Sequence, residues 1–197
     1  MFSSELPQEN GHSSNEFVTL TDESGRHLNC SIEHSLDVEG SEYLLLMPVD
    51  TPVEIVAWDD EEDEESTDAT LLEDDAEIDL VFSDAQAVLA EQNLVLKRTA
   101  FTLTVAGELP SVDDVDEDDI LTIEIEEDDV KLEPEELMFL ASFYHEEQKY
   151  EVYTPLDPLL FPAKRNKVGQ AELLSPEEIK TVQPILNEWL FNDIDEE

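Results

Sequence analysis

Three residues in "HLNCSIEH" carry side chains that zinc accepts: His27, Cys30 and His34. The stretch alternates like a strand, which puts His27 and Cys30 on opposite sides and Cys30 and His34 on the same side. Two converging groups fall short of the four that structural zinc takes, so these read as ordinary strand residues. In the acidic run near residue 115, Asp114, Asp116 and Asp118 match the first three ligand positions of a calcium-binding EF-hand loop. The sixth position is then Asp119 where glycine is needed, and the twelfth is Ile125 where a bidentate glutamate is needed. Loose cation condensation fits that run; an EF-hand does not. The five glycines are isolated, so no loop that cradles a phosphate is present. Cys30 and the four histidines form no nucleophile signature. Carboxylates abound, but a tuned acid–base pair needs a dry pocket and these lie in solvated runs. No catalytic residue, metal ligand or cofactor is assigned, and binding is the chemistry to look for.

The strongest binding signal is "PLDPLLFPAKRNK". Pro155 and Pro158 fix φ and remove amide donors, which stiffens the chain. Leu156, Leu159, Leu160 and Phe161 form an apolar run, followed by Lys164, Arg165 and Lys167. The run either packs under a C-terminal helix, against Ile179, Val182 and Trp189, or forms an exposed contact with the cations as its rim. The cations could also pair with neighbouring acidic elements. These seven residues, Leu156, Leu159, Leu160, Phe161, Lys164, Arg165 and Lys167, are the candidate partner-binding set.

Charge sets the frame. The chain of 197 residues has a net charge of −44, yet between Lys149 and Lys180 five basic residues balance five acidic ones. The excess lies wholly outside that neutral island. Phosphate contacts need a basic footprint that is missing, so direct nucleic-acid binding is not expected, and anionic membrane surfaces repel such a chain. A basic protein, or a basic patch on a large assembly, is the favoured partner class; acidity also serves solubility alone. The single cysteine points to a reducing compartment. The N-terminal stretch has no basic or apolar region of a secretory signal, and runs such as Tyr43–Pro48 are too short to span a bilayer.

Positioning elements can be read from periodicity. Residues 1–15 read as disordered, 16–58 as a first β module, and 59–75 as an acidic linker. Residues 76–110 read as a β-α-β-β unit: Ile78, Leu80 and Phe82 alternate as a strand, and Ser83 with Gln86 opens a short helix as a capping box. A second acidic linker spans 111–119, a second β module with a C-terminal helix spans 120–192, and 193–197 is an acidic tail. Ser175-Pro176-Glu177-Glu178 starts that helix, and Pro184 predicts a kink in it. The two modules are related: "YLLLMPVD" from Tyr43 and "YEVYTPLD" from Tyr150 share Tyr-x4-Pro-[Val/Leu]-Asp at an offset of 107, with "VEGS" and "HEEQ" as matching turns. The expected fold is α+β, mostly antiparallel sheet, with two related β modules around the β-α-β-β unit and a kinked C-terminal helix.

"TLTDESG" and "LDVEGSEYLLLMPVD", with the acidic tract behind them, resemble the small YrzB-like family of bacterial domains of unknown function. "IDLVFSDAQAVLAEQNLVLKRTAFTLTVAGELP" and "YTPLDPLLFPAKR…GQAELLSPEEIKTVQPILNEWLF" are similar to the extended relatives found in cyanobacteria and plastids, so the resemblance covers residues 16–192. It implies a protein of the cyanobacterial cytoplasm or plastid stroma with no established reaction, and it supplies no functional residues. The expectation is a non-enzymatic interaction protein, an assembly or regulatory factor. The alternative is an acidic mimic of nucleic acid that occupies a basic groove on a polymerase, ribosome or nucleoid protein. Oligomeric state is left open.

Overall fold

The computed structural model describes residues 16–59, 69–124, 126–127, 130–131 and 134–192. The expected disordered N-terminus, most of the first acidic linker and the acidic tail lie outside these residues. The first strands are β1 (Phe17–Thr21), β2 (His27–Val38), β3 (Ser41–Pro48), β4 (Thr51–Trp58) and β5 (Ala69–Leu71), followed by helix α1 (Asp75–Ala90). A hairpin, β6 (Val95–Arg98) and β7 (Leu103–Ala106), leads to two short 3-10 turns at Val112–Asp114 and Glu117–Asp119. Then come β8 (Ile120–Ile123), β9 (Glu126–Glu127), β10 (Val130–Lys131), β11 (Glu135–His145), β12 (Gln148–Pro155), β13 (Phe161–Arg165), β14 (Ala171–Leu173) and helix α2 (Pro176–Asn192). The architecture is α+β and mostly antiparallel, as expected.

The internal repeat extends to details of the backbone. Adding 107 to the bounds of β3, Ser41–Pro48, gives those of β12, Gln148–Pro155. The β2–β3 hairpin turns on Glu39 (φ 52°) and Gly40 (φ 84°), and the β11–β12 hairpin turns on Glu146 (φ 48°) and Glu147 (φ 75°), again 107 apart. Two-residue loops with both φ positive match the right-handed twist of the flanking strands. Each long strand also carries a β-bulge at the same offset, between Ile32 and His34 and between Phe139 and Ala141.

The repeats exchange strands. One sheet has the order β1-β2-β3-β13-β14 and the other β6-β7-β4-β12-β11-β8, with β5 on β4. The fourth strand of each repeat therefore completes the sheet of the other. The registers agree: Leu44 pairs with Ala163 and Leu46 with Phe161, while 107 residues away Glu151 pairs with Val56 and Tyr153 with Glu54. The helices follow their strands across. Helix α1 packs Ile78, Val81, Ala85 and Leu89 onto Val53, Ile55, Leu140, Ala141 and Val152 of the second sheet. Helix α2 packs Val182 and Leu186 onto Leu45 of the first. The duplicated unit is thus four long strands, a short strand and a helix; β6 and β7 follow the first copy.

Several expectations are corrected. Residues 78–82 are helical rather than a strand, because Ile78, Val81, Ala85 and Leu89 form one buried helical face and Leu80 is 66% exposed. The cap is Asp74, whose carboxylate accepts from the Ala76 and Glu77 amides at 2.8 and 3.2 Å, not Ser83. Ala69–Leu71, within the span read as acidic linker, adds a strand to β4. Cys30 and His34 lie on opposite faces, since the bulge inserts one residue and reverses the alternation: Ile32 pairs with Leu46 on one face and His34 with Leu45 on the other. The capping box of α2 is as read, with Glu178 N donating to Ser175 Oγ at 3.3 Å and Ser175 N donating to Glu178 Oε2 at 2.9 Å. Pro184 sits inside a helix that continues through it.

Candidate functional site

The duplication supplies an internal control for locating a site. Each sheet has one face under a helix and one face turned away from it. On the first sheet the second face is an aliphatic core of Leu20, Leu28, Cys30, Leu44 and Leu46, with a cavity of about 670 Å³ at its edge that Val18, Arg165 and Ala171 help to line. The β6–β7 connection closes it by inserting Ala100, fully buried, while Phe101 lies on Phe161 with ring centroids 6.3 Å apart. Phe101 adopts φ 65°, a left-handed conformation costly for a bulky residue, in a tight turn where Thr102 N donates to Ala100 O at 2.8 Å. Strain is tolerated there to lay the ring over the core. Burial pushes the Cys30 thiol up to about 11, so it stays an unreactive packing group.

On the second sheet the equivalent face is built differently. Leu44 corresponds to Glu151, Leu46 to Tyr153 and Ile32 to Phe139, while the ion-paired Glu42 and Arg165 correspond to Lys149 and Trp58. Trp58, Phe139 and Tyr153, with Ile120 and Leu121, line a cavity of about 400 Å³ that also touches Asp118, Asp119, Lys149 and Glu151. The Phe139 and Tyr153 rings meet edge-on at 5.9 Å. Glu151 is only 9% exposed and is the one buried charged residue among the described residues. Tyr153 donates its hydroxyl proton to Glu151, and Lys149 Nζ pairs with the same carboxylate at 2.8 Å. Burial, then the bond to Glu151, holds the Tyr153 hydroxyl well above the usual tyrosine range, so it remains a donor. The indole N–H of Trp58 is buried beside the Tyr153 hydroxyl without a well-formed hydrogen bond. Buried polar groups of this kind cost free energy where leucine would not, and leucines fill the matching positions of the first repeat.

Next to Tyr153 across the strands lies Glu54. Its Oε2 is buried without a partner, and burial, then the Glu135 and Glu73 carboxylates, pushes the group up to about 7. A carboxyl whose folded pKa exceeds its unfolded value favours the folded state when protonated, so its contribution declines as pH rises from about 4.5 towards 7. Glu54→Gln, which mimics the protonated acid, is therefore expected to stabilise at pH 8 by about 1 kcal/mol after allowance for solvent screening, and to change little at pH 5. Thermal melts at the two pH values check this; an equal effect at both removes the titration.

The seven residues singled out in the sequence do not converge. Leu156 packs towards α1, and Leu160 packs with Tyr43 and Ile179 under α2. Leu159 lines a separate groove of about 270 Å³ with Val49 and Pro158 where the two strand crossings run side by side. Phe161 lies under Phe101. Lys164 is tied to Glu178, and Arg165 to Glu42 at 2.6 Å and Glu16 at 2.8 Å. Lys167 is exposed. Among the described residues no group of His, Cys, Asp and Glu is placed to hold a metal ion, and no helix is long and apolar enough to cross a membrane. Trp58, Phe139, Lys149, Glu151 and Tyr153 escaped the sequence reading, although aligning "YLLLMPVD" on "YEVYTPLD" exposes the exchange of two leucines for Glu151 and Tyr153.

Comparison with known families divides the chain where the first repeat ends. The family described as "Protein of unknown function (DUF3727)" matches residues 93–193, just over half of the chain. The chain belongs to that family. A second family, "Protein of unknown function (DUF1292)", matches residues 23–90, which closes at the end of α1. No curated protein and no solved structure matches. The DUF3727 segment thus carries β6 to α2, including Phe139, Lys149, Glu151 and Tyr153, whereas Trp58 comes from the DUF1292 segment. The cavity needs both.

Proposed function

We propose that this protein acts by binding a basic protein partner rather than by catalysis. The observation that carries the reading is the use made of its few cations. Arg26, Lys97, Arg98, Lys149, Lys164 and Arg165, six of nine basic residues, are ion-paired with the chain's own carboxylates. Positive charge is consumed inside the fold, and the surface offered to a partner is overwhelmingly acidic. Exposed carboxylates sit on ordered elements such as the start of α1 and the 3-10 turns at 112–119. Such a field attracts basic surfaces and weakens with salt. Lys167, beside the 78%-exposed Val168, and Lys180 are the exposed cations that the neutral island adds to a contact.

The resemblance to cyanobacterial and plastid relatives supports a role as an assembly or regulatory factor in a photosynthetic cell. Crosslinking and affinity purification from such a cell is expected to recover a basic protein at about 0.05 M salt and release it at about 0.5 M. Recovery of nothing above background at low salt, together with unchanged photosynthetic complexes in a deletion strain, would refute the reading. The nucleic-acid mimic is favoured by one feature, the ordered frame that holds Asp113, Asp114, Glu117, Asp118 and Asp119. It predicts that duplex DNA competes with this protein for the partner's basic groove.

A further inference from the structure

We infer that the cavity between β8 and β12 receives the side chain of an arginine from the basic partner proposed above, a reading on which this inference rests. Three aromatic residues, Trp58, Phe139 and Tyr153, line the cavity, and aromatic rings are the groups on which a planar guanidinium stacks. Asp118 and Asp119 stand exposed on the rim, and neither is in an ion pair among the described residues. Three carboxylates and one ammonium line the space, so its net charge is negative. Lys149 already neutralises Glu151 at 2.8 Å, which leaves the two rim aspartates as the acceptors open to an incoming cation.

The shape of those acceptors selects among cations. Guanidinium combines a flat, weakly hydrated face for the aromatic wall with a fork of donors for carboxylates; an ammonium offers a point charge that holds its water. In the first repeat Leu44 and Leu46 fill the same positions, and the chain's own Ala100 packs against them. In the second repeat that face holds the cavity, beside the buried Val56 and Leu137, and costly polar groups line it.

The test follows the Trp58 indole proton by NMR in the full chain. N-acetylarginine amide is expected to shift it saturably, about five-fold or more tighter than N-acetyllysine amide. Asp118→Asn with Asp119→Asn, both on an exposed turn, should weaken arginine binding about ten-fold or more. No saturable shift, equal response to both compounds, or an unchanged response in the doubly substituted chain would overturn the inference. Equal retention of the partner by wild type and this variant overturns the pocket while leaving the interaction reading intact; failure of the wild type to retain any basic protein overturns that reading instead.

Discussion

Truncating Ile55 to alanine is expected to cost about 3 kcal/mol and to lower the melting temperature by about 6–12 °C, in one transition that both sheets share. Ile55 is 1% exposed and packs in the core beneath α1, so its loss leaves a cavity that close-packed neighbours fill only in part. The single transition is the sharper claim. Strand β4 belongs to the first repeat but sits inside the second sheet, while β13 and β14 belong to the second repeat and complete the first. Neither sheet can lose its borrowed strands while the other stays whole. Two probes separate the sheets: thiol labelling of Cys30, fully buried in the first, and fluorescence of Trp58 in the second, read with Trp189→Phe. Coincident midpoints are predicted. Cys30 remaining protected after the Trp58 signal is lost would show the repeats to be independent.

The second large effect has the opposite sign. Replacing Glu151 by leucine and Tyr153 by phenylalanine together is expected to stabilise the protein by about 2 kcal/mol. The pair removes a buried carboxylate and the hydroxyl that depends on it, keeps the ring that packs against Phe139, and moves the face towards the leucines of the first repeat. Lys149, about a third exposed, loses its Glu151 partner but stays in reach of water. Glu151→Leu alone should gain less or destabilise, since it leaves the buried Tyr153 hydroxyl without its acceptor. Stabilising substitutions at a site held for function are the expected signature of a trade between stability and activity.

Local backbone chemistry was the legible part of this fold. Glu39-Gly40 and Ser175 through Glu178 announce a turn and a cap because each satisfies a short-range geometric demand. Helix α1 was misread because Ile78, Leu80 and Phe82 satisfy strand alternation while Ile78, Val81, Ala85 and Leu89 satisfy the helical period, and only packing decides between them. The bulge that separates Cys30 from His34 depends on one extra residue, which leaves no compositional trace. Strand exchange was further out of reach: β4 could pair with either third strand on local grounds, and its choice of Tyr153 over Leu46 is a long-range outcome. The site suffered from the opposite problem. Lys164 and Arg165 stood out in a sequence poor in cations, yet that scarcity marks them as internal ion pairs, whereas Glu151 is hidden among so many carboxylates that only its place opposite a leucine in the repeat, and its burial, distinguish it.

One measurement bears most directly on the claim that the second repeat keeps a polar-lined cavity for a partner. Wild type and the variant carrying Glu151→Leu and Tyr153→Phe should be compared for retention of the basic partner at low salt, with their melting temperatures taken on the same preparations. A variant that melts higher and retains the partner at least about ten-fold less well is the predicted result. A variant that melts lower, or one that holds the partner as firmly as wild type does, would show that these groups serve the fold and not the contact.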